Sequence, residues 1–126
     1  MLGPLLSVAV GGAIGASLRY LAGLSIIRLF GHTSFPLGII SVNVVGSFLM
    51  GAFVVLAAHR GLTHLSPLVM TGILGGFTTF SAFSLEAVTL YERGAAGQAA
   101  LYVAISVGAS IAALFAGLWL ARSVIG

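Results

Sequence analysis

The sequence predicts an all-α integral membrane protein: four transmembrane helices per chain, the third broken near its middle, acting as an antiparallel dual-topology homodimer. Three observations predict it. Of the 126 residues, 60% are hydrophobic and 6% charged, with a mean hydropathy of +1.21. A soluble domain of this length could not bury so much apolar surface. The apolar residues fall into four runs, about 4–29, 37–58, 67–91 and 96–121, each long enough to cross ~30 Å of hydrocarbon as a helix. They leave room for one domain over residues 1–126. Finally, the third run contains Gly75-Gly76-Phe77-Thr78-Thr79-Phe80-Ser81-Ala82-Phe83-Ser84. Adjacent glycines lose helix propensity and threonines are stiff at χ1, so the helix is expected to break here. A break at bilayer depth survives only where the freed backbone is buried in protein, holds an ion or lines an aqueous path. That points to transport.

The first run has no basic residue before Arg19, so it is read as a mature span and not as a cleaved signal. Gly11 with Gly15, and Gly12 with Ala16, give the small-residue spacing that lets helices approach closely. Arg19 lies some ten residues before the end of the run. Either it is paired or faces water, or the span ends near it and a tilted turn follows. Residues 30–36 hold Gly31 and Pro36 and read as a loop. In the second run, Asn43 needs hydrogen-bond partners in hydrocarbon, and it either bridges two helices or meets a permeating ion. His59 and His64 sit in the next connection and lack the acidic partner or helical histidine pair of a metal site.

In the third run Phe80 and Phe83 are three apart and share a helical face. Their ring edges carry partial positive charge, a sound surface for a small anion, although phenylalanine pairs commonly only fill space. Glu86 follows, a carboxylate that snorkels, pairs, anchors a helix or gates. In the fourth run Tyr102, Ser106 and Ser110 fall four apart on one helical stripe, and the next position, Leu114, is apolar. A serine in a membrane helix often bonds its own backbone, but three hydroxyls in register can form a hydrophilic track.

Topology is left unbiased. Arg60 and Arg122 fall on one side of a four-span chain and Arg28 and Arg93 on the other, with no lysine anywhere. The positive-inside rule has nothing to act on, so the chain can insert both ways. Four short helices are too few to enclose a pore, and two-fold assemblies are the commonest, which together predict the antiparallel pair. The net charge of +3 comes from five scattered arginines that form no basic patch, so nucleic acid is not an expected partner. With no cysteine and two acids there is no catalytic constellation, and an enzyme is not expected. A proton-coupled drug exporter of four spans would need an embedded acid in its first segment, which is absent here; a purely structural subunit would leave the break and the aligned hydroxyls without purpose.

Four motifs resemble one family. They are Gly11-Gly12-Ala13-Ile14-Gly15-Ala16-Ser17-Leu18-Arg19-Tyr20, Pro36-Leu37-Gly38, Val42-Asn43-Val44-Val45-Gly46-Ser47-Phe48, and the stretch from Gly75 to Ser84 with Glu86. The chain resembles the small fluoride channels called Fluc or CrcB across all four runs. That resemblance implies a dual-topology homodimer in the inner (plasma) membrane, with two antiparallel pores that export toxic fluoride passively. By motif, Phe80 and Phe83 look like the phenylalanines whose edges meet fluoride, and Asn43 like the pore asparagine. Tyr102, Ser106 and Ser110 look like the hydroxyl track, and Ser81 joins the pathway. Arg19 resembles the arginine of the vestibule region, and Glu86 is likewise read as a vestibule or anchoring residue. The backbone carbonyls of Gly75 and Thr78 look like ligands of a structural Na⁺ on the dimer axis. Ala82 stands where the family often has Thr, one hydroxyl fewer near the phenylalanine pair, which bears on conduction rate.

Overall fold

A computed structural model describes residues 2–32 and 35–125. Helix α1 (Leu2–Phe30) runs unbroken through Arg19, so the chain does not turn there. Of the link expected over 30–36, residues 33–34 lie outside the described residues. Helix α2 (Leu37–Arg60) ends at Gly61, whose left-handed φ of 68° lets its amide close on the Ala57 carbonyl. The third segment is composite: a 3₁₀ turn (Thr63–Leu65), a wide π-helical stretch (Pro67–Leu74), a single turn α3 (Gly75–Phe77) and then α4 (Phe80–Glu92). Gly94, at φ 82°, turns the chain into α5 (Ala96–Ile125). Among the described residues, Leu2–Phe30, Leu37–Arg60, Thr63–Glu92 and Ala96–Ile125 are the four helical segments long and apolar enough to cross a membrane.

The break in the third segment falls at the threonines and not at the glycines. Thr78 (φ −86°, ψ 160°) and Thr79 (φ −152°, ψ 122°) are extended, whereas Gly75 is helical at φ −63°, ψ −37°. Propensity alone points to the glycines, but helix packing uses them. A Cβ on Gly76 would come within 2.8 Å of the Gly12 carbonyl oxygen, and one on Gly72 within 2.9 Å of the Gly11 Cα. A Cβ on Gly11 would strike the Leu68 carbonyl, and one on Gly15 the Ile73 carbonyl. The small-residue spacing of α1 thus meets small residues of the third segment, and the two backbones touch.

A second seam joins α2 to α5, where a Cβ on Gly51 would strike the Leu114 carbonyl and one on Gly117 the Phe48 carbonyl. Between α4 and the start of α5 lies a buried cluster of Phe83, Leu90, Ala99 and Tyr102, with Phe35, Ile39 and Ile40 packed against it. Outside these seams the surface is apolar. Leu5, Leu21, Phe115 and Trp119 are all exposed, as expected of helices whose solvent is lipid.

Candidate ion pathway

The site begins with the backbone that the break sets free. In a continuous helix the Thr79 amide would bond the Gly75 carbonyl, the Phe80 amide that of Gly76, and the Ala82 amide that of Thr78. Two of these amides are diverted. Thr79 N–H donates to Asn43 Oδ1 at 2.8 Å, and Ala82 N–H to Thr79 Oγ1 at 3.1 Å, which caps α4. Asn43 completes the clamp by donating from Nδ2 to the Thr79 carbonyl at 3.0 Å. Arg19 supplies the other replacement, its Nε donating to the Gly76 carbonyl at 3.0 Å. A residue from α1 and a residue from α2 therefore hold the two sides of the break, and the cation of Arg19 strengthens its bond.

The break opens onto a groove of about 340 Å³. Its walls are Asn43, Gly46, Ser47 and Met50 of α2, Thr78 to Phe80 with Phe83 at the break, and the Ser106, Ser110 and Leu114 face of α5. Gly46 is required here, since a Cβ would strike Thr78 Cγ2. Phe80 and Phe83 meet edge to face, centroids 5.4 Å apart at 86°. Phe83 is buried, whereas Phe80 is 76% exposed and stands at the open side of the groove. Tyr102 is fully buried beside Phe83, 5.4 Å between centroids, and meets Phe35 edge-on at 5.6 Å.

The hydroxyls sort into two kinds. Ser17, Ser25, Ser41, Ser84 and Ser123 each donate to the carbonyl four residues back, at 2.7–2.9 Å. Among the described residues, Tyr102 Oη, Ser106 Oγ and Ser110 Oγ are buried and reach no partner at hydrogen-bonding geometry. A buried polar atom without a partner costs about 1–3 kcal/mol, so three on one stripe are a substantial burden unless something else meets them.

Comparison with known proteins gives this arrangement its context. The family model described as CrcB-like protein, Camphor Resistance (CrcB), matches residues 6–118. The chain belongs to the CrcB family. A relative from Ruegeria sp. (strain TM1040), named fluoride-specific ion channel FluC, is 69% identical over 125 residues, 99% of each chain. One of the same name from Roseobacter denitrificans is 69% identical over 95% of this chain and 96% of its own. A third, from Jannaschia sp. (strain CCS1), is 78% identical over 78% of this chain and 97% of its own. This CrcB chain is a multi-pass membrane protein, with four segments able to span among the described residues.

Within that frame, the structure brings together Asn43, Phe80, Phe83, Ser106 and Ser110 around one groove and sets Tyr102 behind it. Ser81 stands apart: it is exposed, is not part of the groove wall, and lies 3.4 Å from Thr79 Oγ1. Arg19 and Glu86 line a separate cavity of about 270 Å³ with His32 and Phe35. Asn43 bridges helices, as one of its two sequence readings has it, while still lining the groove. The carbonyls of Gly75 and Thr78 have lost their helical donors to Asn43 and Thr79, which suits oxygens offered to a hard cation. Sequence reasoning missed the α2 wall beyond Asn43, namely Gly46, Ser47 and Met50. The spacing from Asn43 to Ser47 and Met50 is that of one helical face and could have revealed it.

Proposed function

We propose that this chain is a fluoride-specific channel that lets fluoride leave the cell passively, working in the inner membrane as an antiparallel homodimer with two pores. The observation that carries the reading is the stripe of three buried, unpartnered hydroxyls beside the edge-to-face phenylalanine pair. Fluoride is small and holds its water tightly, so a path must replace that water with hydrogen-bond donors and positive ring edges. Ser106 and Ser110 offer O–H groups along α5, Asn43 keeps one N–H beyond its bond to Thr79, and the two rings offer edges. Fixed cations would hold the anion too long. Arg19 is accordingly bonded to the Gly76 carbonyl and acts on the path through the break that it pins.

The antiparallel dimer is supported by the even split of arginines and by the open side of the groove, where Phe80 lies bare until a second copy covers it. A structural Na⁺ on the two-fold axis would be held by the Gly75 and Thr78 carbonyls of each copy. Bound there, it would supply positive potential and tie the two breaks together.

Ion-selective electrodes reading fluoride and chloride release from liposomes loaded with the purified protein test the reading. Fast fluoride release with chloride retained is the expected result. Demonstrably dimeric protein that releases no fluoride would end it.

A further inference from the structure

The α5 series of hydroxyls stops short. After Ser106 and Ser110 the next position on the stripe is Leu114, so an anion moving along α5 would lose its donors one turn past Ser110. Helix α2 runs beside α5 in the same direction. Ile39 and Ile40 pack on the cluster that holds Ala99 and Tyr102, whereas Gly51 lies beside Leu114 and Leu118. Asn43 and Ser47 lie on α2 between those two contacts, facing the groove that Ser106, Val107, Ser110 and Leu114 also line. Ser47 lines the same groove. Its backbone neighbour Gly46 keeps the wall thin enough for Thr78 to lie against it. Unlike Ser41 on the same helix, whose hydroxyl donates to the Leu37 carbonyl at 2.8 Å, the Ser47 hydroxyl makes no hydrogen bond among the described residues.

Resting on the channel reading above, we infer that Ser47 is a further residue of the conduction path: its hydroxyl takes the anion from Ser110 where α5 turns apolar, so that the polar track crosses from α5 to α2. The crossing keeps donors on opposite sides of the ion over successive steps. Past Ser47 the walls become Met50, Ile111 and Leu114, and the ion meets no further side-chain donor of this chain on the groove.

Liposome efflux of fluoride and chloride, compared across wild type and the variants Ser47→Ala, Ser47→Cys, Ser47→Thr, Ser110→Ala and Ser84→Ala, tests this. Loss of one donor hydrogen bond to a charged ion predicts a fall of about tenfold in fluoride release for Ser47→Ala. Ser47→Cys keeps the shape with a weaker donor and should fall between Ala and wild type. Ser47→Thr keeps the hydroxyl and should stay within about twofold, a rescue that a mere packing role would not give. Ser84→Ala, whose hydroxyl is tied to the Phe80 carbonyl, should match wild type. Ser47→Ala and Ser47→Cys running at the wild-type rate while Ser110→Ala is slow would overturn the role of Ser47 and leave the channel reading standing. Absence of fluoride release from wild type would remove both.

Discussion

Two regions built from the same small residues behave in opposite ways. Along the seam between α1 and the third segment, Gly11, Gly15, Gly72 and Gly76 bring backbone onto backbone and leave no room for a methyl group. Along the groove between α2, the break and α5, Gly46, Ser47, Ser106 and Ser110 also keep the helices slender, yet the space remains open and its hydroxyls unspent. The seam spends small side chains on dispersion contacts, which lipid cannot supply between backbones. The groove spends them on polar atoms without a partner among the described residues, a destabilising arrangement that the proposed channel accounts for by a passing ion. On the proposed reading, stability and function lie on different faces of the same bundle.

The sharpest break in that contrast comes from the seam. Gly15→Val would drive a side chain into the Ile73 carbonyl and to within 2.9 Å of the Phe77 nitrogen, where only backbone could move. Overpacking of this kind costs about 1–3 kcal/mol or more, and the expected outcome is loss of monodisperse protein on size exclusion. Phe80→Ile at the exposed mouth of the groove should instead leave the assembly intact while fluoride efflux falls to the liposome background. Unchanged efflux would remove the ring edges from the mechanism.

Asn43→Asp sits between the two regions. Its carboxylate still accepts from Thr79 N–H but faces the Thr79 carbonyl with no donor, so the clamp loses one bond and gains a repulsion. A loss of about 1–3 kcal/mol in thermal unfolding, together with slower efflux, is expected. Ser110→Ala is the most diagnostic pair of readouts: efflux should drop about tenfold while thermal stability holds or rises by about 1 kcal/mol, because an unpartnered polar atom has gone. A stability loss with unchanged efflux would make Ser110 an ordinary structural serine. Smallest is Ser123→Ala, whose hydroxyl is already tied to the Trp119 carbonyl at 2.9 Å; both readouts should stay within about 0.5 kcal/mol of wild type.

Much of this was legible from the chain. Four apolar runs of spanning length, the small-residue face of α1, the stripe at Tyr102, Ser106 and Ser110, and the interruption of the third segment all follow from local composition and the helical repeat. The exact residues of the interruption, within residues 75–84, did not. Gly75 and Gly76 are the weaker helix formers, yet both stay helical, α1 packing directly on Gly76, and the extended backbone passes to Thr78 and Thr79, where Asn43 and the Thr79 hydroxyl catch the freed amides. Likewise the sequence leaves Arg19 paired, facing water or at the end of its span, and only the approach of α1 to the break gives it a partner, turning its Nε toward the Gly76 carbonyl, 57 residues away in sequence.

Sequence by itself determined the solvent of this protein, the number of its helices and which hydroxyls share a stripe. These depend on hydropathy and on a 3.6-residue repeat, both local properties. Tertiary structure alone decided which freed carbonyls find a donor, which serines are left without one, and which wall of α2 faces α5. Those outcomes depend on helix register and backbone contact between segments far apart in the chain, set where Gly51 meets Leu114 and Gly76 meets Gly12. Local pattern puts polar atoms on a face; packing decides whether that face finds its hydrogen-bond partners within the bundle.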